Sequence, residues 1–112
     1  MQYALMIYAD RDYLAAQSDA ELEAVRAEYL ALAEDARCVA AAGLQPVETA
    51  TSVRVVGGRT LMTDGPFADT KEVLGGFCVI DAANLDEAIE VAARIPAARL
   101  GGGVEVRPVM PR

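Results

Sequence analysis

Two segments of strand length are apolar at almost every position, and they constrain the fold of this chain more than any other feature. Residues 3–9 read YALMIYA, and residues 76–82 read GFCVIDA. Successive side chains of a strand point to opposite faces of its sheet, so a strand that is apolar throughout needs cover on both faces. The sequence therefore predicts one sheet with two apolar faces.

Two other segments have the spacing of amphipathic helices. Ser18 and Glu21 fit a capping box, in which each side chain satisfies a backbone amide at the helix start. Apolar residues then recur every three or four positions, which predicts a helix that runs to about Ala42 with Gly43 as its cap. A second helix is predicted over residues 85–95, with Asn84 as its N-terminal cap.

Three further extended segments complete the predicted order. β-branched residues favour an extended segment and strand at 47–56, which a tight Gly57-Gly58 hairpin joins to a strand at 59–64, and a final strand is predicted at 104–110. We interpret the succession as β-α-β-β-α-β, the ferredoxin-like split βαβ arrangement of an α+β fold. This arrangement places two helices on one face of an antiparallel sheet.

The second face of the predicted sheet needs a separate cover. A chain of 112 residues corresponds to a single domain, residues 1–112, and two helices cover one sheet face only. A second copy is the simplest source of cover for the other face. The sequence therefore predicts a homodimer whose sheets pack face to face.

The charge of the chain and its lack of histidine argue against several classes of function. Seventeen acidic residues oppose ten Lys and Arg, for a net charge of −7, and there is no His. Binding to a phosphate backbone requires clustered basic residues, so we expect no direct contact with nucleic acid. The sequence offers no Cys/His zinc cluster and no His-based catalytic site, and we expect neither a metal nor a cofactor.

Hydropathy predicts a protein without membrane contact. No apolar run approaches the roughly 20 residues that span a bilayer, and the first residues lack the basic leader of a signal peptide. We therefore expect a cytoplasmic protein. Cys38 and Cys78 each lie within an apolar run and are expected to be free, buried thiols.

The segment TDGPFADTKEVLGGF, residues 63–77, differs from its alanine- and valine-rich surroundings. Asp64 is a candidate catalytic acid or base at a strand end, and the alternative is a turn residue that accepts backbone amides. Glu72 is a second candidate general base, or an ion-pair partner of Arg54.

Six residues are candidates for ligand contacts. Lys71, the single lysine, is a candidate anion clamp or nucleophilic amine, and the alternative is a solvated ion pair with Asp69 or Glu72. Tyr8 is a candidate pocket wall that offers a hydroxyl, or a residue of the core or the dimer contact. The candidate ligand-binding set is Tyr8, Arg54, Gly65, Pro66, Phe67 and Lys71.

The segment at 63–77 resembles the signature of the DGPF proteins, a branch of the YCII-related family. The similarity extends to PVETATSVRV upstream and to LDEAIEVAARIPAA and GGGVEVRPV downstream. The resemblance implies a ferredoxin-like subunit that dimerises as an α/β barrel. Some relatives are enzymes that act on small chlorinated or lactone-like molecules with a His-Asp dyad, a mechanism that does not transfer to a chain without His.

The resemblance also bears on partners. Genes of the DGPF branch commonly lie beside those of extracytoplasmic-function sigma factors, which implies a regulatory setting without promoter contact. Our leading hypothesis is therefore a small-molecule-binding or accessory module in such a setting. The alternatives are an enzyme that acts on small organic acids or lactones by carboxylate acid/base chemistry, and an interaction partner of a sigma factor.

Overall fold

A computed structural model of the chain describes residues 1–67 and 70–112. These residues form a mixed α+β body that measures 43 × 43 × 19 Å. Its strands are β1 (Gln2–Asp10), β2 (Cys38–Gly43), β3 (Thr51–Val56), β4 (Arg59–Asp64), β5 (Glu72–Asp81) and β6 (Gly103–Pro108). Its helices are α1 (Arg11–Ala15), α2 (Asp19–Ala33) and α3 (Leu85–Ala93), with single 3-10 turns at Val47–Thr49 and Pro96–Ala98.

Four of the strands form one antiparallel sheet in the order β2-β5-β1-β6. β1 lies in the middle, so that Tyr3 is opposite Ile80 of β5 on one side and Pro108 of β6 on the other. This arrangement is compatible with a ferredoxin-like fold. β3 and β4 pair only with each other among the described strands and form a separate hairpin.

The prediction of one long helix from Ser18 to Ala42 is wrong in its second half. α2 ends at Ala33, and Cys38–Gly43 forms an edge strand paired with β5. The chain turns at Asp35, whose side chain accepts a hydrogen bond from the backbone N–H of Arg37 at 2.9 Å. Alanine has the highest intrinsic helix propensity, but propensity is a weak preference that tertiary context overrides, and here the pairing of β2 with β5 outweighs it.

The predicted extended segment and strand at 47–56 contains a strand, but its predicted place in the main sheet is wrong. Only Thr51–Val56 is a strand, and its hairpin with β4 lies outside the main sheet. The hairpin itself is confirmed, with Gly57 and Gly58 at φ values of 57° and 77°, as a two-residue turn of the I′ type requires. The second strand of the four-stranded sheet is therefore β2, and the hairpin is an additional element between β2 and β5.

The helix starts follow the predicted capping residues. Ser18 Oγ accepts a hydrogen bond from the Glu21 N–H at 3.2 Å, which confirms the start of α2. Asp10 caps the short helix α1, which the sequence did not predict, by accepting from the Tyr13 N–H at 3.0 Å. No helix in the described part of the chain is long and apolar enough to span a membrane.

The core lies between the sheet and α3. Tyr3, Leu5 and Ile80 have exposed fractions of 3%, 0% and 2%, and they pack with Ala88 and Val91 of α3. α2 lies over the same sheet face but contributes no buried residue. One face of the sheet is therefore covered tightly by α3 and loosely by α2.

The opposite face of the sheet is apolar as well. Met6 pairs with Phe77 and Ala4 pairs with Val79, and all four are half-buried. The predicted alternation of two apolar faces along β1 and β5 is therefore confirmed.

Candidate functional site

The DGPF motif forms the base of the β3–β4 hairpin. Asp64 is the last residue of β4 and lies opposite Thr51. The Gly65 N–H donates to the Ala50 carbonyl at 2.7 Å, and Ser52 Oγ donates to the Gly65 carbonyl at 2.6 Å. Because Gly65 has φ = 100°, a conformation that side chains with a Cβ rarely adopt, glycine is required at this crossing. The backbone of the motif is therefore a turn that two hydrogen bonds hold against the start of β3.

The side chains of the motif lie at the surface. Asp64, Pro66 and Phe67 are exposed. In residues 1–67 and 70–112 the Asp64 carboxylate takes part in no hydrogen bond or ion pair. The alternative interpretation, a turn residue that accepts backbone amides, therefore has no supporting hydrogen bond among these residues. Its role as an acid or base stays a prediction.

Arg54 and Phe67 are brought together across the hairpin base. The Arg54 Cζ atom lies 4.6 Å from the centroid of the Phe67 ring, a cation–π geometry. At an exposed site such a contact contributes about 0.5–1 kcal/mol. The side chain of Arg54 is thus placed on an aromatic ring, and the expected pairing with Glu72 is not among the contacts of the described residues.

Lys71 and Glu72 meet the end of β1. Lys71 Nζ lies 3.5 Å from Asp10 Oδ2, and Glu72 is opposite Asp10 in the strand register. The hydrogen bond from the Tyr13 N–H, with the nearby Lys71 charge, holds the pKa of Asp10 below its usual 3.8. The Lys71 carbonyl also accepts from the Arg11 N–H at 2.9 Å. Lys71 therefore joins the start of β5 to the end of β1. Its partner there, Asp10, was not suggested by the sequence.

Tyr8 lies on the apolar second face of the sheet. It is opposite Leu74 of β5 and Gly103 of β6, beside an irregularity at which Gly75 is the extra residue of β5. The side chain is half-buried. Its position suits either of the predicted roles, a pocket wall or a dimer contact.

A charged cluster links the α2–β2 connection to the end of α3. Asp35 accepts hydrogen bonds from Arg37 Nε at 3.1 Å and from an Arg94 terminal nitrogen at 3.0 Å. A second guanidinium nitrogen of Arg37 lies 3.6 Å from Glu87. These donors, Arg37 foremost, hold the pKa of Asp35 well below its usual 3.8. The cluster fixes the turn that separates α2 from β2.

A large groove runs between α2 and the sheet, at the β2 and β5 side. It has a volume of about 1080 Å³, and the loop at residues 44–48 is part of its lining. Its walls are mainly apolar and include Leu22, Val25, Leu32 and Leu44. Charged side chains occur at a few places on the lining, namely Arg11, Arg26, Asp35 and Glu48.

Both cysteines line this groove. Cys38 and Cys78 are free and half-buried. Burial, together with the nearby Cys38, raises the pKa of Cys78 to about 11. The Cys78 thiol is therefore protonated at neutral pH and is a weak nucleophile.

The structure separates the predicted site residues into two groups. Arg54, Asp64, Gly65, Pro66 and Phe67 belong to the hairpin base, and none of them lines the groove. The second group, Tyr8, Lys71 and Glu72, lies where β1 and β5 pair. Asp69, which the sequence suggested as a partner of Lys71, lies outside the described residues.

Two residues beside the groove were missed by the sequence reasoning. Arg11 and Glu48 form an ion pair at 3.2 Å that joins the start of α1 to the 3-10 turn before β3. They are 37 positions apart, and no local pattern relates them. Asp10, the residue before Arg11, could have been found, because Asp ahead of a short helical segment is a typical cap.

The chain is similar to known proteins over its whole length. The model of the YCII-related domain matches residues 1–112. The uncharacterized protein R00369 of Rhizobium meliloti (strain 1021) is 39% identical over 117 residues, which cover 97% of this chain and 92% of that protein. The chain therefore belongs to the YCII-related domain family.

Proposed function

We propose that this chain is a small-molecule-binding subunit and that the groove between α2 and the sheet is its binding site. The observation that carries the proposal is the size and lining of the groove. Small-molecule sites are typically concave, about 300–1,000 Å³ in volume, and mainly apolar with a few polar groups. A groove of about 1080 Å³ with apolar walls and a few charged side chains has this character.

The lining favours a ligand with an apolar body and an acidic group. Leu22 and Val25 offer an apolar wall, and Arg26 follows them on the same helix and also lines the groove. A guanidinium group binds a carboxylate through two parallel hydrogen bonds. We therefore propose small organic acids with an apolar portion as the ligand class. Asp64 and Glu72 are both exposed, so no contact specifically favours the enzyme alternative.

The test is a thermal-shift screen of small organic acids beside their neutral amides. We expect acids to raise the midpoint of unfolding more than amides, and Arg26→Gln to abolish the difference. Arg112→Gln, a change far along the chain at an exposed position, is the matched control. If no organic acid stabilises the wild-type protein, or if Arg26→Gln binds as well as the wild type, the proposed site is wrong.

The proposed assembly is a homodimer with the apolar sheet faces packed together, as an α/β barrel. The half-buried residues Met6, Phe77 and Val79 support it, since an apolar sheet face of this kind needs a cover. Sedimentation at micromolar concentration should return a dimer, and Phe77→Glu should shift it toward monomer. A wild-type protein that sediments as a monomer would refute this assembly.

Membership of the DGPF branch, a cytoplasmic location and an association with a sigma factor stay predictions. The DGPF turn itself supports the branch, because its Gly65 conformation and its ties to Ala50 and Ser52 give the motif a structural purpose. Co-purification with a sigma factor from the native cell would support a regulatory setting.

A further inference from the structure

A second, smaller cavity adjoins the groove where α1 and α2 meet the 3-10 turn at Pro96–Ala98. This side pocket has a volume of about 60 Å³. In the described part of the chain, Ala97 and Leu100 line the side pocket but not the groove, and Ala97 is buried. Five residues line both cavities, namely Ala9, Leu14, Leu22, Val25 and Tyr29. The side pocket and the groove therefore share a wall along α2.

The polar side chains that line the side pocket are engaged with the backbone around it. Asp10 accepts a hydrogen bond from the Tyr13 N–H at 3.0 Å, and Gln17 Nε2 donates to the Tyr13 carbonyl at 3.2 Å. The Tyr29 hydroxyl accepts from the Ala97 N–H at 3.2 Å. A buried water needs about two to four polar partners, so engaged polar groups favour an apolar occupant over water.

The volume of the side pocket limits the group that fits in it. An apolar cavity of about 150 Å³ binds benzene, which corresponds to about 25 Å³ per carbon atom. On that scale a volume of about 60 Å³ accepts about two or three carbons. An isopropyl group is of this size, whereas a phenyl ring is too large.

Arg26 brings the acidic group of the proposed ligand close to the side pocket. Leu22 lines both cavities, and Arg26 lines the groove. The two residues are four positions apart on α2, so their Cβ atoms lie about 5–6 Å apart on one face of the helix. A carboxylate bound at Arg26 is therefore separated from the side pocket by only a short chain.

We propose that the side pocket is a specificity pocket that accepts the short, branched alkyl end of an organic acid whose carboxylate binds Arg26. The acid lies in the groove already proposed as the binding site, so this inference rests on the proposed function. Leu100 is the residue that limits the size of the alkyl group, because it lines the side pocket without lining the groove.

Two acids that differ only in their end group test the size limit. 4-Methylpentanoate ends in an isopropyl group and 3-phenylpropanoate in a phenyl ring, and the same short chain joins each to its carboxylate. In titration calorimetry the wild type should bind 4-methylpentanoate about tenfold more tightly, since about two carbons gain burial in the side pocket. A groove without a size limit would favour the phenyl group, which has more apolar surface. Equal or tighter binding of 3-phenylpropanoate by the wild type overturns the proposal.

Leu100→Ala should enlarge the side pocket and reverse this preference. The substitution removes three carbons, which adds about 75 Å³ on the same scale and makes room for a phenyl ring. The variant should bind 3-phenylpropanoate about tenfold more tightly than the wild type does. A gain of binding cannot come from a loss of stability. Leu44→Ala is the matched control, because Leu44 lines the groove but not the side pocket, and it should leave the order of the two acids unchanged.

The specificity pocket and the proposed function can fail separately. If both acids bind and Leu100→Ala changes their affinities no more than Leu44→Ala does, the groove keeps its proposed function and the specificity pocket is wrong. If no organic acid binds the wild type, the proposed function fails and the specificity pocket fails with it. Circular dichroism checks the fold of each variant. Should Leu100→Ala not fold, Leu100→Val is the milder change and should shift the preference toward the phenyl acid to a smaller extent; no shift overturns the proposal.

Discussion

Gly102 lies where β6 approaches β1 so closely that a side chain has no room. A Cβ atom built on Gly102 overlaps the Tyr8 carbonyl oxygen and lies 3.1 Å from both Ala9 Cα and the Tyr8 carbonyl carbon. All three atoms belong to the backbone of the central strand. Because none of them can rotate away, Gly102→Ala must push β6 and β1 apart.

The expected cost follows from this overlap. Overpacking that forces a backbone shift typically costs about 1–3 kcal/mol, and this contact belongs at the upper end. A domain of this size loses roughly 4 °C in its unfolding midpoint per kcal/mol, so Gly102→Ala should unfold about 10 °C below the wild type. The matched control is Gly103→Ala, where a Cβ meets nothing within 4 Å. It should be neutral or stabilising by up to about 1 kcal/mol.

Urea denaturation followed by circular dichroism measures both variants. We expect a lower midpoint for Gly102→Ala with an unchanged slope, which shows a loss of stability without a change in the surface exposed on unfolding. If Gly102→Ala lies within about 0.5 kcal/mol of the wild type, or if both variants lose the same stability, the close approach of β6 to β1 is wrong.

Three further results are expected. Gly65→Ala should destabilise the hairpin by about 1–2 kcal/mol, because Gly65 has a φ of 100°. Gly43→Ala is the control and should not destabilise the protein, because Gly43 has an ordinary φ and open space around it. Urea midpoints compare the two variants. Because the pKa of Asp35 is lowered in the fold, its ionised carboxylate stabilises the protein above pH 3.8, and this stabilisation is lost as the pH falls below that value. The stability of Asp35→Asn should therefore depend less on pH in acid. If Asp35→Asn loses stability in acid as steeply as the wild type, the stabilising role of the Asp35 cluster is contradicted. In Cys38→Ser, alkylation of Cys78 should stay slow at neutral pH and accelerate only in alkali, because burial, the larger cause of its raised pKa, remains in this variant. Mass spectrometry can follow the labelling, and rapid labelling at pH 8 would contradict the burial of Cys78.

Local chemistry made part of the fold predictable from the sequence. The capping side chains of Ser18 and Asn84 act within three residues of themselves, and the alternation along residues 3–9 is a property of one strand. The alanine-rich strand β2 could not be predicted in this way. Its residues have neither alternation nor a strong preference for a strand, and pairing with β5, more than thirty positions away, decides its conformation.

The candidate site was predictable only where its residues are neighbours in sequence. The DGPF turn was found because its turn chemistry is local. The contacts of Arg54 with Phe67 and of Lys71 with Asp10 depend on how the hairpin folds back and on how β1 pairs with β5. The groove depends on the position of α2 over the sheet, which periodicity shows as an apolar stripe without showing how tightly it packs.

The central position of β1 has a consequence for the order of folding. Gln2–Asp10 is made first among the strands of the sheet, yet its two partners, β5 and β6, follow it by about seventy and a hundred positions. At about 5–20 residues per second, synthesis takes roughly 5 s or more to reach β6, and until then the most apolar strand has only part of its sheet. Contacts this distant in sequence also slow the search for the native pairing. The nascent chain therefore carries its first apolar strand without a partner until β5 has been made, and this interval is when it is most exposed to aggregation.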